Sequence, residues 1–368
     1  MAVPPPPPAA AAVGVSQGKM VHLERSHPAL IESIKRILTG ENIIANCAIR
    51  DFDGAEFFVL LVDEGATVQV SIQHSVPLAY YQTQKLVANV KATLERHFTP
   101  FASLGCRIVD PPASPDFLAT IAIATAPFLE DPTASVPSSA MLQEVAALRT
   151  IGAAPCFLQA FETILLVPQG GGGHQGSTST NAKGIANTAG PTTSSSHFRI
   201  PYRAAASGAP PGSRDECFFI YAAQGNYFVS LNLHVPDSDD RLFAKAFLAA
   251  FMDARKLDKA VQSAPSFLFT QEQAPPSLRH LPYPEATAAA SPTTMWVTFG
   301  LSRKNMEPLA KALVTIQHLM NFRAYLFYHI QTCRSFMHTK MRERMTLSLQ
   351  VLNRAKTKAT GKARVQIE

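Results

Sequence analysis

The chain has 368 residues, of which 46% are hydrophobic and 16% are charged, and its formal net charge is +6. This length exceeds one typical domain, and the hydrophobic content is sufficient for real cores. No apolar run approaches the roughly 20 residues that span a bilayer. We therefore expect a soluble globular protein without membrane insertion.

The first 19 residues, MAVPPPPPAAAAVGVSQGK, combine a proline run with alanines. They lack the basic leader and apolar core of a signal peptide, and we predict a disordered Pro/Ala-rich extension over 1–19. The five cysteines lie far apart with no CxxC spacing. This usage suits buried thiols in a reducing cytosol better than disulfides or a zinc site.

Residues 20–137 are predicted to form a first α+β domain, because helical periodicity and runs of β-branched and aromatic residues alternate there. The predicted elements, in order, are a helix at 27–38, strands at 42–49, 56–62 and 67–72, a long helix at 76–98, and strands at 104–109 and 117–125.

Residues 138–301 repeat this order after a helical stretch at 139–164, which Gly152 and Pro155 are expected to kink. The predicted elements that follow are strands at 197–202, 216–222 and 226–235, a helix at 239–256, and strands at 266–269 and 295–301. We therefore predict two similar α+β domains with mainly antiparallel sheets and flanking helices. The Gly- and Pro-rich segments 168–196 and 272–292 are predicted to be mobile insertions.

From Leu309 to Thr360 the sequence contains no Gly or Pro. As a continuous helix these 52 residues would be about 78 Å long. We therefore predict a long C-terminal helix over 302–358, with Asn305 as its N-cap and a basic tail at 359–368. Its apolar residues form two stripes, and we expect the chain to cover one while a partner covers the other. One stripe contains Leu319, Phe322, Leu326, Cys333 and Phe336, and the second contains Met320, Phe327, Ile330, Met337 and Met341.

Positive charge is concentrated at the C-terminus. Residues 303–368 hold 13 Lys and Arg against three acidic residues, a net charge of +10, whereas the other 302 residues carry about −4. The C-terminal segment is therefore the electrostatically distinctive part of the chain.

Two acidic motifs have a catalytic and a structural interpretation. DFDGA (51–55) resembles the start of an aspartate-nucleophile phosphatase, but its flanks do not fit, and a hairpin turn through Asp53 and Gly54 explains it more simply. VPDSDDR (235–241) fits a helix start capped by Ser238 or Asp239 better than a cation site. We expect no catalytic residues, metal or cofactor.

The basic and apolar stretch MHTKMRERMTLSLQVLNRAK (337–356) fits a nucleic acid, a membrane surface or a protein filament as partner. In a basic-region DNA-binding dimer the positive charges precede a heptad zipper. Here they follow the apolar portion, which disfavours that class of protein. Nucleic-acid binding through this helix nevertheless stays the alternative hypothesis.

Several motifs in collinear order resemble the family of subunit 2, the 34-kDa subunit, of the actin-related protein 2/3 complex. In the C-terminal helix these motifs are YLFYHI (325–330), FMHTKMR (336–342) and LQVLNRAK (349–356). Upstream, FFIYAAQGNYFVSLNLHVPDSDD (218–240) and WVTFGL (296–301) resemble the second domain of that family. The resemblance spans roughly residues 20–358.

The resemblance implies a non-catalytic, actin-binding core subunit of the cytoplasm and cytoskeleton. Its implied partners are subunit 4, with which it forms a heterodimer, the other subunits of the complex, and the mother actin filament, from which a branch is nucleated. It further implies two residue sets. The candidate actin-binding residues are Lys340, Arg342, Arg344, Arg354 and Lys356, and the candidate subunit-interface residues are Leu319, Phe322, Leu326, Phe327, Ile330, Phe336 and Met337.

Overall fold

The computed structural model describes residues 27–40, 46–51, 54–129, 139–166, 197–203, 215–223, 225–257, 264–287 and 290–362. Side chains are described within these ranges except at 255, 286 and 355–362. The predicted extension at 1–19 and the predicted insertion at 168–196 lie outside the described residues.

The first half of the chain forms a five-stranded antiparallel sheet with strand order β1-β2-β3-β5-β4. The strands are β1 (Asn46–Arg50), β2 (Glu56–Val62), β3 (Thr67–Gln73), β4 (Cys106–Val109) and β5 (Ala119–Ala124). Its helices are α1 (Pro28–Leu38), α2 (Leu78–Thr83), α3 (Val87–Phe98) and the short α4 (Ala126–Leu129). Alternating buried residues in β2 and β3 show that one face of the sheet packs inward.

The helix predicted over 76–98 is interrupted between α2 and α3. Lys85 has a left-handed backbone with φ of 55°, and the Leu86 amide donates to the Tyr81 carbonyl at 2.8 Å. This turn redirects the chain so that Tyr81 and Leu86 are both buried. Periodicity alone did not predict the break, because both segments have apolar residues at helical spacing.

The second half forms another five-stranded antiparallel sheet with the equivalent order, β6-β7-β8-β10-β9. Its strands are β6 (His197–Arg203), β7 (Glu216–Ala223), β8 (Asn226–His234), β9 (Ser266–Gln271) and β10 (Thr294–Leu301). Helix α7 (Ser238–Leu257) connects β8 to β9, and the short α8 (Pro284–Thr287) precedes β10. The predicted class, two similar antiparallel α+β units, is confirmed.

Two helices, α5 (Ser139–Ala146) and α6 (Leu148–Leu165), lead from the first sheet towards the second. Helix α6 runs through both Gly152 and Pro155, and the break between the two helices falls at Ala147. Neither residue therefore ends a helix, and a kink at them stays a prediction. Gly152 has a packing role, because a Cβ there would lie 2.6 Å from the Leu118 side chain. Thirteen of the 18 residues of α6 are buried, as expected for a helix with few polar side chains.

Helix α6 contacts both sheets. The carbonyl of Arg149 is 2.8 Å from His74 Nε2 at the end of β3, and the Phe157 ring lies 5.1 Å from the Phe218 ring of β7. The buried residues of the two halves consequently form one continuous core. The sequence-based domain boundary at 137/138 separates α6 from α3, although the two helices pack together.

The Pro-rich connection 272–292, expected to be a mobile insertion, packs on the second face of the second sheet. Ala274 and Leu278 are buried there against Phe219 and Trp296. This face therefore has its own small core, which the sequence did not reveal because its covering residues are scattered in a loop.

The C-terminal region consists of α9 (Arg303–Met306) and α10 (Leu309–Lys362). At 54 residues, α10 is about 81 Å long, and it includes residues 359–362, which were predicted as tail. The prediction that Asn305 caps this helix is wrong. Ser302 caps α9, with Asn305 completing the capping box, and α10 begins after Pro308.

Candidate functional site: the C-terminal helix

The first half of α10, residues 309–330, packs into the core of the chain. Here Ile316, Leu319, Met320, Leu326 and Ile330 are buried. Both predicted apolar stripes are covered in this part, because α10 lies against α6, α7 and the second sheet. We call residues 309–330 the embedded half.

Aromatic side chains of α7 and α10 join along the embedded half. Phe247 stacks on His329 with ring centroids 4.9 Å apart, and Phe251 meets Phe322 at 6.1 Å. Burial lowers the pKa of His329, because the charged imidazolium is poorly solvated between these rings. The stacking contact between Phe247 and His329 therefore favours the neutral form of the histidine.

Two buried arginines fix the embedded half in place, one through an ion pair and the other through a hydrogen bond. Arg323 donates to the Glu216 carboxylate of β7, and both side chains are almost fully buried. Arg149 of α6 donates to Asp51 Oδ2 at 2.5 Å and also to Asn321 Oδ1. Arg149 thus connects the first sheet, α6 and α10 through groups that lie far apart in sequence.

Asp51, considered above as a phosphatase nucleophile, is therefore engaged in a structural ion pair. The hairpin interpretation of DFDGA is confirmed, since β1 and β2 pair antiparallel on either side of it. Gly54 has a φ of 92°, which glycine adopts without strain, and its amide donates to the Asp51 carbonyl.

Arg334 marks the end of the contact between α10 and the body. Its guanidinium lies 3.2 Å from Asp240 Oδ1 and 3.8 Å from Asp237 Oδ2 at the N-terminus of α7. Asp237 is also the helix cap, in place of the predicted Ser238 or Asp239, because its Oδ1 accepts from the amides of Asp239 and Asp240. These amide donors lower the pKa of Asp237.

Beyond Arg334, every residue of α10 whose side chain is described is exposed, up to Arg354. We call residues 331–362 the projecting half; it is about 48 Å long. Its large apolar side chains are about half or more exposed, which is unusual for a surface without a partner. They are Phe336, Met337, Met341, Met345, Leu347, Leu349, Val351 and Leu352.

Five of these residues form one stripe along the projecting half. Met337, Met341, Met345 and Leu349 are spaced four residues apart, and Leu352 follows three later. At 3.6 residues per turn they fall within an arc of about 120°. We call these five residues the apolar stripe.

The predicted subunit-interface residues separate into two groups. Leu319, Phe322, Leu326 and Ile330 are buried against the rest of the chain, each with no more than 7% of its surface exposed, and Phe327 is partly buried, beneath the Arg323 guanidinium. Phe336 and Met337 are exposed on the projecting half. The apolar residues of α10 are therefore buried in its N-terminal part and exposed in its C-terminal part. It is not the case that one side of the helix is buried along its whole length while the other side is exposed.

Among the predicted actin-binding cations, Lys340, Arg342, Arg344 and Arg354 are all exposed. Lys340 is paired with Glu343 at 2.9 Å and lies over the Phe336 ring. Lys356 is in the helix, but its side chain lies outside the described part of the chain.

The four cations with described side chains lie on two sides of the apolar stripe. Helical geometry places Lys340, Arg344 and Arg354 within an arc of about 80° on one side, and Arg342 about 160° from Arg344. The sequence prediction grouped them by composition and did not distinguish these two faces.

Sequence reasoning missed Arg149 and Arg334. An arginine inside an apolar helix, as at Arg149, is a signal of a buried ion pair, but its partners cannot be identified without the fold. Among the residues that the structure describes, no cluster of three or more potential metal ligands occurs. None of the described helices has the length and apolarity needed to cross a membrane.

Two repeated antiparallel α+β units with a projecting C-terminal helix define the structural class of this protein. The family described as "Arp2/3 complex, 34 kD subunit p34-Arc" matches residues 90–359, most of the chain. The chain belongs to this p34-Arc family of Arp2/3 complex subunits.

Three curated relatives are similar over 142 residues, or 39% of this chain. They are actin-related protein 2/3 complex subunit 2 of Dictyostelium discoideum, at 34% identity over 45% of its length, subunit 2A of Arabidopsis thaliana, at 32% over 42%, and subunit 2 of Schizosaccharomyces pombe, at 30% over 43%. The chain thus spans less than half the length of each of these relatives. Nothing in these similarities supports the nucleic-acid alternative.

Proposed function

We propose that this chain is a non-catalytic core subunit of an Arp2/3 complex in the cytoplasm and cytoskeleton. In this proposal it forms a heterodimer with subunit 4, binds the side of a mother actin filament and supports nucleation of a branch. Family membership supports the role as a complex subunit. The particular partners rest on the projecting half of α10.

The observation that carries the proposal is the exposed apolar stripe beyond Arg334. Burying an apolar side chain of this size is worth about 1.5–3 kcal/mol, so five such residues exposed on one helix favour association strongly. Their spacing of four and three residues is the pattern by which one helix packs against another. A long helix of subunit 4 is the proposed occupant.

The cations supply the second part of the proposal. If a partner helix covers the apolar stripe, the face with Lys340, Arg344 and Arg354 stays accessible at its side. A cluster of positive charge on a projecting helix can steer and orient an acidic filament. We propose that this face contacts actin and that Phe336 and Met337 contribute to the subunit interface near its base.

Assembly is tested with Leu349→Glu, which places a charge within the apolar stripe. Native affinity purification of the tagged chain, followed by mass spectrometry, should recover subunit 4 and the other subunits with the wild type and lose them with this variant. Leu347→Glu is the matched control, because Leu347 is equally exposed but lies off the stripe. Recovery of the wild-type chain without complex subunits would contradict the proposal.

Filament binding is tested by comparing Arg344→Glu with Arg342→Glu in the assembled complex. Co-sedimentation with actin filaments should weaken several-fold for Arg344→Glu, because reversing a charge replaces attraction with repulsion. Arg342→Glu, on the other side of the stripe, should have a smaller effect. Equal losses would refute the assignment of the face, and loss of assembly would show that these residues pack inside the complex.

A further inference from the structure

The embedded half of α10 borders an open groove of about 600 Å³ on the second α+β unit. One wall is formed by α9 and the first turns of α10, and the opposite wall by the end of α7 and the residues that precede β9. Strand β10 contributes the floor. The groove lies on the body of the protein and includes no residue of the projecting half.

The interior of the groove is apolar. The buried or partly buried Phe299, Leu319 and Phe322 form its floor, and the more exposed Phe251 and Val314 also line it. Val314 is 49% exposed and Phe251 is 37% exposed, so the groove offers apolar surface to solvent. The volume is in the range of a binding site for several apolar side chains.

The rim of the groove is positively charged. Lys304 and Lys311 are exposed there, neither makes an ion pair within the described part of the chain, and His318 lies beside them. No carboxylate is among the described residues that line the groove. The nearby Glu307 and Asp253 are paired with Arg303 and Lys256 respectively, so they do not offset the two lysines.

A second apolar cavity, of about 730 Å³ between α3 and the loop after β4, lacks this charge preference. The lysine on its rim, Lys91, is neutralised by Asp110 at 2.5 Å. These two cavities of similar size thus differ in charge, and of the two the groove lined by Lys304 and Lys311 combines an apolar floor with unbalanced cations.

We propose that this groove binds an acidic amphipathic helix of a partner protein. Along α10 the lining runs from Lys311 to Phe322, about 16 Å, which matches three turns of a bound helix. Apolar anchors at i, i+3 or i+4, and i+7 would enter the floor, and carboxylates beside them would face the two lysines. This proposal does not depend on the partners assigned to the projecting half.

The test uses the full-length chain and a fluorescein-labelled peptide with Leu and Phe at i, i+3, i+4 and i+7 and Glu elsewhere. Fluorescence anisotropy should show saturable binding that weakens when ionic strength rises from about 0.05 M to about 0.5 M. Lys304→Glu/Lys311→Glu should weaken binding roughly tenfold, since each charge reversal replaces an attraction by a repulsion. Val314→Asp should abolish it.

Controls separate the groove from general effects of charge. Lys35→Glu/Lys85→Glu makes the same change of charge on the first unit. Val351→Asp introduces a carboxylate at an exposed valine of the projecting half. Both variants should bind the peptide like the wild type. Equal binding of a scrambled peptide, or no loss with Val314→Asp, would overturn the proposal. Saturable binding of dodecanoate but not of the peptide would also overturn it, in favour of a small hydrophobic anion.

Discussion

The two halves of α10 have similar apolar content but opposite environments. In the embedded half, Leu319, Leu326 and Ile330 are buried by α6, α7 and the second sheet. In the projecting half, Met341, Leu349 and their neighbours are about half or more exposed. The apolar character of a helix therefore indicates that it needs a neighbour, while the fold decides whether that neighbour belongs to the same chain.

Polar contacts differ between the halves in the same way. Arg323 and Glu216 form an ion pair that is almost fully buried, whereas Lys340 and Glu343 form one with both side chains about half exposed. The free energy of an ion pair depends on its solvation, so the two pairs have different consequences for stability.

The largest contrast is expected on breaking these ion pairs. Arg323→Met leaves the buried Glu216 with only the half-exposed Arg203, at 4.0 Å, as a charge partner and should lower the free energy of unfolding by about 3–5 kcal/mol. Lys340→Met should change it by no more than about 1 kcal/mol. Urea unfolding of the full-length chain measures both, and comparable effects would show that the embedded half is not fixed by its buried pair.

A second contrast uses the same substitution at two leucines. Leu326→Ala opens a cavity in the core and should lower the free energy of unfolding by about 2–5 kcal/mol. Leu352 is 58% exposed, so Leu352→Ala should stay within about 0.5 kcal/mol of the wild type. A large loss at Leu352 in the purified chain would mean that the projecting half folds back onto the body.

The smallest expected effect concerns pH. Burial lowers the pKa of His329, so below its ordinary value of about 6.5 the unfolded chain takes up a proton that the folded chain resists. Stability should therefore fall as the pH decreases from about 6.5, and His329→Phe should make this fall shallower while keeping the ring stack on Phe247.

His338→Gln is the control for this measurement, because His338 is exposed on the projecting half. It should follow the wild-type dependence of thermal stability on pH. An unchanged slope in His329→Phe would show that protonation of the embedded histidine does not oppose folding.

Much of the fold could be predicted because its signals are local. Runs such as EFFVLLV and MWVTFGL are β-branched and aromatic, and they became β2 and most of β10. The absence of Gly and Pro after Leu309 predicted α10 for a similarly local reason. The repeated element order gave the two similar sheets.

The rest depends on contacts between distant parts of the sequence. Arg149 reaches Asp51 and Asn321 across 98 and 172 residues, and no periodicity reports such a pairing. The sequence also could not show which residues of the two apolar stripes of α10 are buried, since burial of Ile330 depends on neighbours contributed by the rest of the fold. The cations of the projecting half could be identified from the sequence. Their division between two faces could be assigned only once the structure showed that this segment is helical.

The position of α6 has a consequence for how the chain can be divided. Its residues complete the packing beneath both sheets, with Arg149 beside His74 and Phe157 against Phe218. A cut before α5 would remove α5 and α6 from the first unit, where they pack on α1 and α3. A cut after α6 would remove from the second sheet a helix that packs on β6 and β7. The chain contains two copies of one α+β motif, yet neither of these cuts would give two fragments that each keep a complete core.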